Sequence, residues 1–318
     1  MNIYKSFDEI PYNHKTILTV GTYDGVHSGH QKIIKKLLEY SEKHQLRNLI
    51  ITFDPHPQIV LQKEGKPKIK LLSTIEERLE LFEKYGIDNV LIVPFSNEFS
   101  MTTPKKFITH YLSKIVGFSM VLIGYDHLFG KNREGSIDLL NKFADKNNYK
   151  VEKISALQLS DGREDTVLSS TKIRRALDEN NLDLANKYLG YNYIVKGKVI
   201  DGDKRGKTIG FPTANIFIMD ENKYIPAKGV YFVSIIIDGK KYFGMANLGN
   251  RPTFVDSNQV LIEVNIFEFD VDIYGEIINV EFIKYLRKEK KFNSREKIIE
   301  QITIDRQECK KLVKSLMK

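Results

Sequence analysis

The sequence predicts two folds in tandem: an α/β domain built on a doubly wound parallel sheet, then an antiparallel β-barrel with a terminal helix. Three observations predict them. Apolar strands alternate with amphipathic helices up to Leu189, short strands at regular spacing take over after Gly190, and Ser294–Met317 carries one long helical repeat of apolar residues. Strands separated by helices imply a parallel sheet, whereas evenly spaced short strands imply an antiparallel barrel. The chain has 318 residues, of which 42% are hydrophobic, enough for two domains that each bury a core.

The elements follow in order. Thr16–Val20 reads as a buried strand, and Ser28–His44 as a helix with Ile33, Ile34, Leu37 and Leu38 on one face and a capping box of Ser28 and Gln31. Asn48–Phe53 is the next strand. Ser73–Tyr85 is a helix with its own box, Ser73 and Glu76. Strands at Asn89–Val93, Met120–Ile123 and Tyr149–Ile154 alternate with helices at Pro104–Val116 and Ile137–Lys146, where Pro104 sits at a favourable first helical position. Helices at Ser170–Leu177 and Leu182–Leu189 close this half, giving a boundary between residues 1–185 and 186–318. The barrel strands are Ile194–Ile200, Val230–Ile237, Lys241–Ala246, Val260–Phe267 and Ile277–Ile283, with Asp238-Gly239 as a hairpin turn.

Composition narrows the function classes. The net charge of +8 divides into +2 before and +6 after Ala185. That excess suits polyanions, but no block of five like charges occurs, so it reads as solvated faces and nucleic acid is not expected. No apolar run approaches the roughly 18 residues that span a bilayer, and the charged N-terminus has no signal-peptide core. The single cysteine, Cys309, excludes an internal disulfide. The expectation is a cytoplasmic protein without a membrane partner. All seven histidines precede residue 128, so a histidine-dependent site must lie in the first half.

The most informative string is Gly21 to His30, GTYDGVHSGH. It joins a strand to a helix through a turn at Asp24-Gly25. Free amides and the helix dipole draw phosphate to such a spot, Gly29 admits a close approach, and His27 and His30 add donors. Nucleotidyl transfer needs charge stabilised on the α-phosphate and the leaving pyrophosphate. The glycines could instead make only a tight turn. Zinc fits less well, because the histidines lack the i, i+4 spacing of the helical zinc motif. Two further strings point to phosphate: FDPHP, with His56 at the end of a strand, and LSSTKIR, where Ser170 and Thr171 open a helix and Arg174 can fork onto oxygens.

In this order, GTYDGVHSGH, FDPHP, IGYDHLFGKNREG and LSSTKIR resemble the FAD synthetase half of the prokaryotic bifunctional riboflavin kinase/FAD synthetases. The resemblance implies a Rossmann-like nucleotidyltransferase domain that transfers AMP from ATP to FMN. It implies that Gly21, Tyr23, Asp24, Gly29, His27 and His30 handle ATP, that Ser170, Thr171 and Arg174 complete the phosphate cradle, and that His56 and Asp126 help hold nucleotide or flavin. Tyr23 stands where Phe is common, and His127-Leu128 stands where an aromatic residue usually follows the Asp.

In the second half, GKVIDGDKRGK leads into GFPTAN. The basic glycine-rich loop with Gly206 and Lys207 suits a flap over phosphates. Thr213 and Asn215, two apart, share a side if extended, and their oxygens suit Mg²⁺; a bare PTAN would read as a capped turn. With GVYFV, LGNRPTF, IEVNIFEFDVDIYG and LRKEKKF, this half resembles the riboflavin kinase half of the same family. The resemblance implies Thr213 and Asn215 on Mg²⁺ and ATP, and Glu263 as the base for the riboflavin hydroxyl. A primary alcohol needs such a base, since its proton must leave as it attacks. Asn265 stands where His is frequent, and Arg287 and Phe292 read as flavin-side contacts. The ligands implied are ATP, riboflavin, FMN and FAD. Two other readings stay open: a chain with only one activity, and a flavin-responsive nucleic-acid-binding regulator.

Overall fold

The computed structural model describes residues 1–62, 65, 68–125, 128–160, 165–202, 206, 209–250 and 260–316. Asp126, His127 and Lys207 lie outside them. Backbone contacts divide the chain into two compact units, Met1–Ser170 and Thr171–Lys318.

The first unit is a six-stranded parallel sheet. Its strands are β1 (Asn2–Tyr4), β2 (Thr16–Val20), β3 (Arg47–Asp54), β4 (Asn89–Pro94), β5 (Met120–Gly124) and β6 (Lys150–Ile154), in the order β1-β4-β3-β2-β5-β6. All of β2 is buried, as expected of a central strand covered on both faces. Helices α1 (Ser28–His44), α2 (Ile75–Lys84) and α3 (Ile137–Asn147) connect the strands. The helix opened by Pro104 widens into a π-helical segment, Phe107–Val116, where Gly117 N–H reaches Leu112 O at 2.9 Å. A small hairpin, β7 (Gln158–Ser160) and β8 (Asp165–Val167), completes the unit. Like β1, its strands are too short to show a period in the sequence.

The box expected at Ser73 and Glu76 forms one residue further on, and the one expected at Ser28 and Gln31 is replaced by a single side-chain cap. His27, not Ser28, caps α1: its Nδ1 accepts from His30 N–H at 3.4 Å. Thr74 and Glu77, not Ser73 and Glu76, form the box of α2. The cause is tertiary for Ser73, whose hydroxyl is taken by Gly25 N–H at 2.8 Å.

The second unit begins with α4 (Ser170–Asp178), from Thr171 on, and α5 (Leu182–Leu189). Asn186 ties α5 to the barrel, donating to Phe282 O at 2.9 Å and accepting from Tyr193 N–H at 2.9 Å. The closed six-stranded barrel comprises β9 (Tyr193–Ile200), β10 (Ala214–Phe217), β11 (Gly229–Ile237), β12 (Lys240–Asn250), β13 (Val260–Ile266) and β14 (Ile277–Arg287), in the order β10-β13-β12-β11-β14-β9. Asp238 and Gly239 both take positive φ, 49° and 73°, as the two-residue hairpin turn requires. The final helix, α6 (Arg295–Leu316), lays Ile302, Cys309, Leu312 and Val313 against Val230, Phe232, Met245 and Phe267. Among the described residues no helix is long and apolar enough to cross a membrane.

Candidate active sites

In the first unit the strand order reverses at β2, with β3 and β4 on one side and β5 and β6 on the other. Ligands of doubly wound sheets bind at the carboxyl ends of strands at such a switch point. Gly21 begins there, its N–H donating to Ile51 O at 3.0 Å. The turn that follows is held from several sides. The buried Asp24 accepts Ser73 N–H at 3.2 Å on its carboxylate and the Ser170 hydroxyl at 2.9 Å on its carbonyl. Val26, fully buried, has φ 35°, a strained value for a β-branched residue.

This clamped turn presents two stacked imidazoles. The rings of His27 and His30 lie 3.7 Å apart at 15°. Burial pushes His27 down to about 4. Burial also holds His30 well below the usual histidine range, with repulsion from His27 and Arg78 adding to it. Both are therefore neutral at pH 7, which the stack requires, since two imidazoliums so close would repel. Because Nδ1 of His27 accepts from His30 N–H, its proton resides on Nε2, which is a donor. Gly29 keeps this arrangement, because a Cβ there would meet the His27 ring at 3.2 Å. Tyr23 faces inward: its hydroxyl lies 2.7 Å from Thr19 Oγ1, and its ring packs on His30 and edge-on to Phe82. Tyr23 therefore buttresses His30. His56 follows β3, caps the turn Pro57–Val60 and is buried.

Sequence reasoning missed Arg78. Only 1% exposed on α2, its guanidinium donates to Thr22 O at 2.8 Å, Thr52 Oγ1 at 3.0 Å and Phe53 O at 3.3 Å, and lies 3.8 Å from Asp54. It ties the Gly21–His30 turn to the end of β3. In the sequence it is one more cation on an amphipathic helix, and only its helical phase, beside the buried Leu81 and Phe82, hints at burial.

Of the three phosphate candidates in the LSSTKIR string, Ser170 belongs to the first unit, and Thr171 and Arg174 belong to the second. There, Tyr224 holds α4 by donating to Asp178 and, at 3.3 Å, to Arg174 O.

The second unit contains a cavity of ≈ 400 Å³ on the outer wall of the barrel. Ile262 and Val264 of β13 are buried, whereas Glu263 and Asn265, on the alternate face, line the cavity. Asn215 pairs in register with Glu263 across β10 and β13, and Thr213 lines the same cavity. Glycines permit this packing. A Cβ on Gly202 would collide with the Asn215 amide, and one on Gly206 with Phe211 O, 3.2 Å from Thr213 Oγ1. Phe211, Leu261, Phe292, Ile298 and Ile302 add apolar side chains to the cavity lining. Arg287 also lines the cavity, held by Asp305 of α6 through bonds of 3.0 Å from Nε and 2.6 Å from Nη2. The structure thus brings together Gly206, Thr213, Asn215, Glu263 and Arg287.

A phosphate-seeking helix start in one unit and a carboxylate-bearing, half-apolar cavity in the other define a two-site phosphotransfer enzyme. Known proteins agree with both halves. The family profile described as FAD synthetase matches residues 9–172, and that described as riboflavin kinase matches residues 189–313. Bifunctional riboflavin kinase/FMN adenylyltransferases are similar over nearly the whole chain. That of Listeria monocytogenes is 39% identical, covering 92% of this chain and 91% of its own. That of Bacillus subtilis is 37% identical, covering 96% and 94%. A solved structure described as a macrolide-efflux protein from Streptococcus pneumoniae is 30% identical with a TM-score of 0.85, covering 96% of this chain and 97% of its own. The chain belongs to the bifunctional riboflavin kinase/FMN adenylyltransferase family. It is a bifunctional enzyme of flavin biosynthesis.

Proposed function

We propose that residues 186–318 phosphorylate riboflavin to FMN and residues 1–185 adenylylate FMN to FAD, each with ATP. The observation that carries the kinase assignment is the cross-strand pair Asn215 and Glu263, which line one cavity with Thr213 and with apolar side chains that include Phe211, Phe292 and Ile302. The apolar side chains suit the isoalloxazine ring. The polar ones suit the ribityl chain and the phosphates.

In this reading Glu263 accepts the proton of the 5′-hydroxyl as that oxygen bonds the γ-phosphorus and ADP leaves. Thr213 and Asn215 fit Mg²⁺ through a hydroxyl and an amide oxygen, the hard donors it prefers, packed so closely by Gly202 and Gly206 that no side chain intervenes. Bound Mg²⁺ would neutralise charge on the phosphate oxygens. Gly206 and Lys207 contribute to nucleotide binding, and Arg287 approaches the flavin with Asp305 fixing its fork.

In the first half no base is required, because the attacking phosphate of FMN is already an anion. Its oxygen bonds the α-phosphorus and pyrophosphate leaves. The Nε2–H of His27, the helix amides and His30 stabilise the developing charge. Gly21, Tyr23, Asp24 and Gly29 shape the turn, Ser170, Thr171 and Arg174 bind phosphates, and His56 and Asp126 help hold nucleotide or flavin. Use of ATP suits a cytoplasmic enzyme.

The test is direct. Purified protein with riboflavin, ATP and Mg²⁺ is expected to give both FMN and FAD on chromatography. FMN without FAD overturns the first-half assignment, and FAD formed only from supplied FMN overturns the second.

A further inference from the structure

Asn265 is buried, 4% exposed, and lies two residues beyond Glu263 on the face of β13 that lines the cavity. Its Nδ2 donates to Pro212 O at 2.6 Å. A proline carbonyl can only accept, so this bond fixes the orientation of the amide: nitrogen to Pro212, oxygen away from it. That oxygen, Oδ1, is buried with no hydrogen-bond partner in the protein. A buried acceptor left unpaired costs about 1–3 kcal/mol, so the site is built for an occupant that brings a donor.

The choice of donor is narrow. Phosphate oxygens at neutral pH are acceptors. Alternate residues of a strand stand roughly 7 Å apart, the reach between hydroxyls along a short polyol. Resting on the kinase reading of this cavity, we propose that Asn265 is a specificity-determining residue: its Oδ1 accepts a hydrogen bond from a secondary hydroxyl of the ribityl chain. The terminal hydroxyl is thereby presented to Glu263. Through Pro212 the same amide joins the polyol subsite to the turn that carries Thr213 and Asn215.

The test uses the full chain and two substrates: riboflavin, and its 10-(5-hydroxypentyl) analogue, which keeps the terminal hydroxyl and lacks the secondary ones. ADP release gives kcat/KM for each. Asn265→Leu removes both the acceptor and the tie to Pro212, so its loss with riboflavin is expected to exceed its loss with the analogue by about tenfold or more, as one lost hydrogen bond of ~1.4 kcal/mol implies. Equal losses with both substrates would mean that Asn265 acts only through Pro212, and would overturn the proposal, as would no loss with riboflavin. Asn265→Asp keeps an acceptor but loses the tie to Pro212. It is expected to retain the preference for riboflavin while turnover falls, and loss of that preference counts against the proposal even if Asn265→Leu does not fold. Failure of the kinase reading itself shows differently: Glu263→Gln would then still phosphorylate riboflavin.

Discussion

Asn215 and Glu263 face each other across two antiparallel strands, although 47 residues of other structure separate them in the chain. Directly opposed side chains start about 5 Å apart. The arrangement puts an amide and a carboxylate side by side in the lining of one cavity. Glu263→Gln is expected to lower the rate of FMN formation by roughly 10²-fold or more, the usual contribution of a general base. Conversion of supplied FMN to FAD should be unchanged. Product chromatography with each substrate checks both halves of the statement.

Gly202 is occupied, in effect, by the Asn215 amide, which lies where a Cβ would stand. Gly202→Ala must therefore displace Asn215. The expected result is a fall in kinase turnover of up to about 10²-fold, as for other small misplacements at reacting groups. The melting temperature should change less than the turnover, because Gly202 lies beyond the end of β9 and makes no rung of the barrel. A rise in the MgATP concentration needed for half-maximal rate would locate the effect.

The stacked histidines, His27 and His30, make stability fall in acid. Each binds a proton less readily in the folded than in the unfolded chain, so no penalty exists above pH ~6.5, where neither state is protonated. Between there and about 4, the folded value of His27, the unfolded chain gains protons that the folded chain refuses. For His27 alone the loss reaches on the order of 3 kcal/mol. His27→Asn keeps a side-chain acceptor at the helix cap and removes the titration. Its melting temperature should depend less steeply on pH between 7 and 4.5 than that of the parent. His30→Ala is expected to stop FAD formation while FMN accumulates.

Arg78 satisfies carbonyls at the ends of two strands at once. Arg78→Lys keeps the charge and loses the fork. We expect a destabilisation of about 1–3 kcal/mol, from acceptors left unpaired, and a loss of FAD formation exceeding any loss of FMN formation. Urea unfolding and the two product assays measure these separately. Equal losses in both assays would show that Arg78 serves the fold alone.

Much was legible in the sequence because it is local. The alternation of strand and helix, the hairpin at Asp238-Gly239, the strand-to-helix turn at Gly21–His30 and the two-residue spacing of Thr213 and Asn215 all depend on neighbours within a turn or two of chain. So did the family, since its strings are continuous. The tertiary structure decided what depends on distant partners. It moved the cap of α2 from Ser73 to Thr74 because Gly25 claims the Ser73 hydroxyl. It buried Arg78, turned Tyr23 inward against His30 and gave Arg287 a carboxylate from the last helix. It made the outer face of β13 a cavity wall rather than a solvated surface, which alternation of apolar and polar residues cannot distinguish. The physical reason is the same in each case. Local geometry follows from φ, ψ and side-chain periodicity, whereas burial, proton affinity and the orientation of an amide are set by whatever the rest of the chain packs against them.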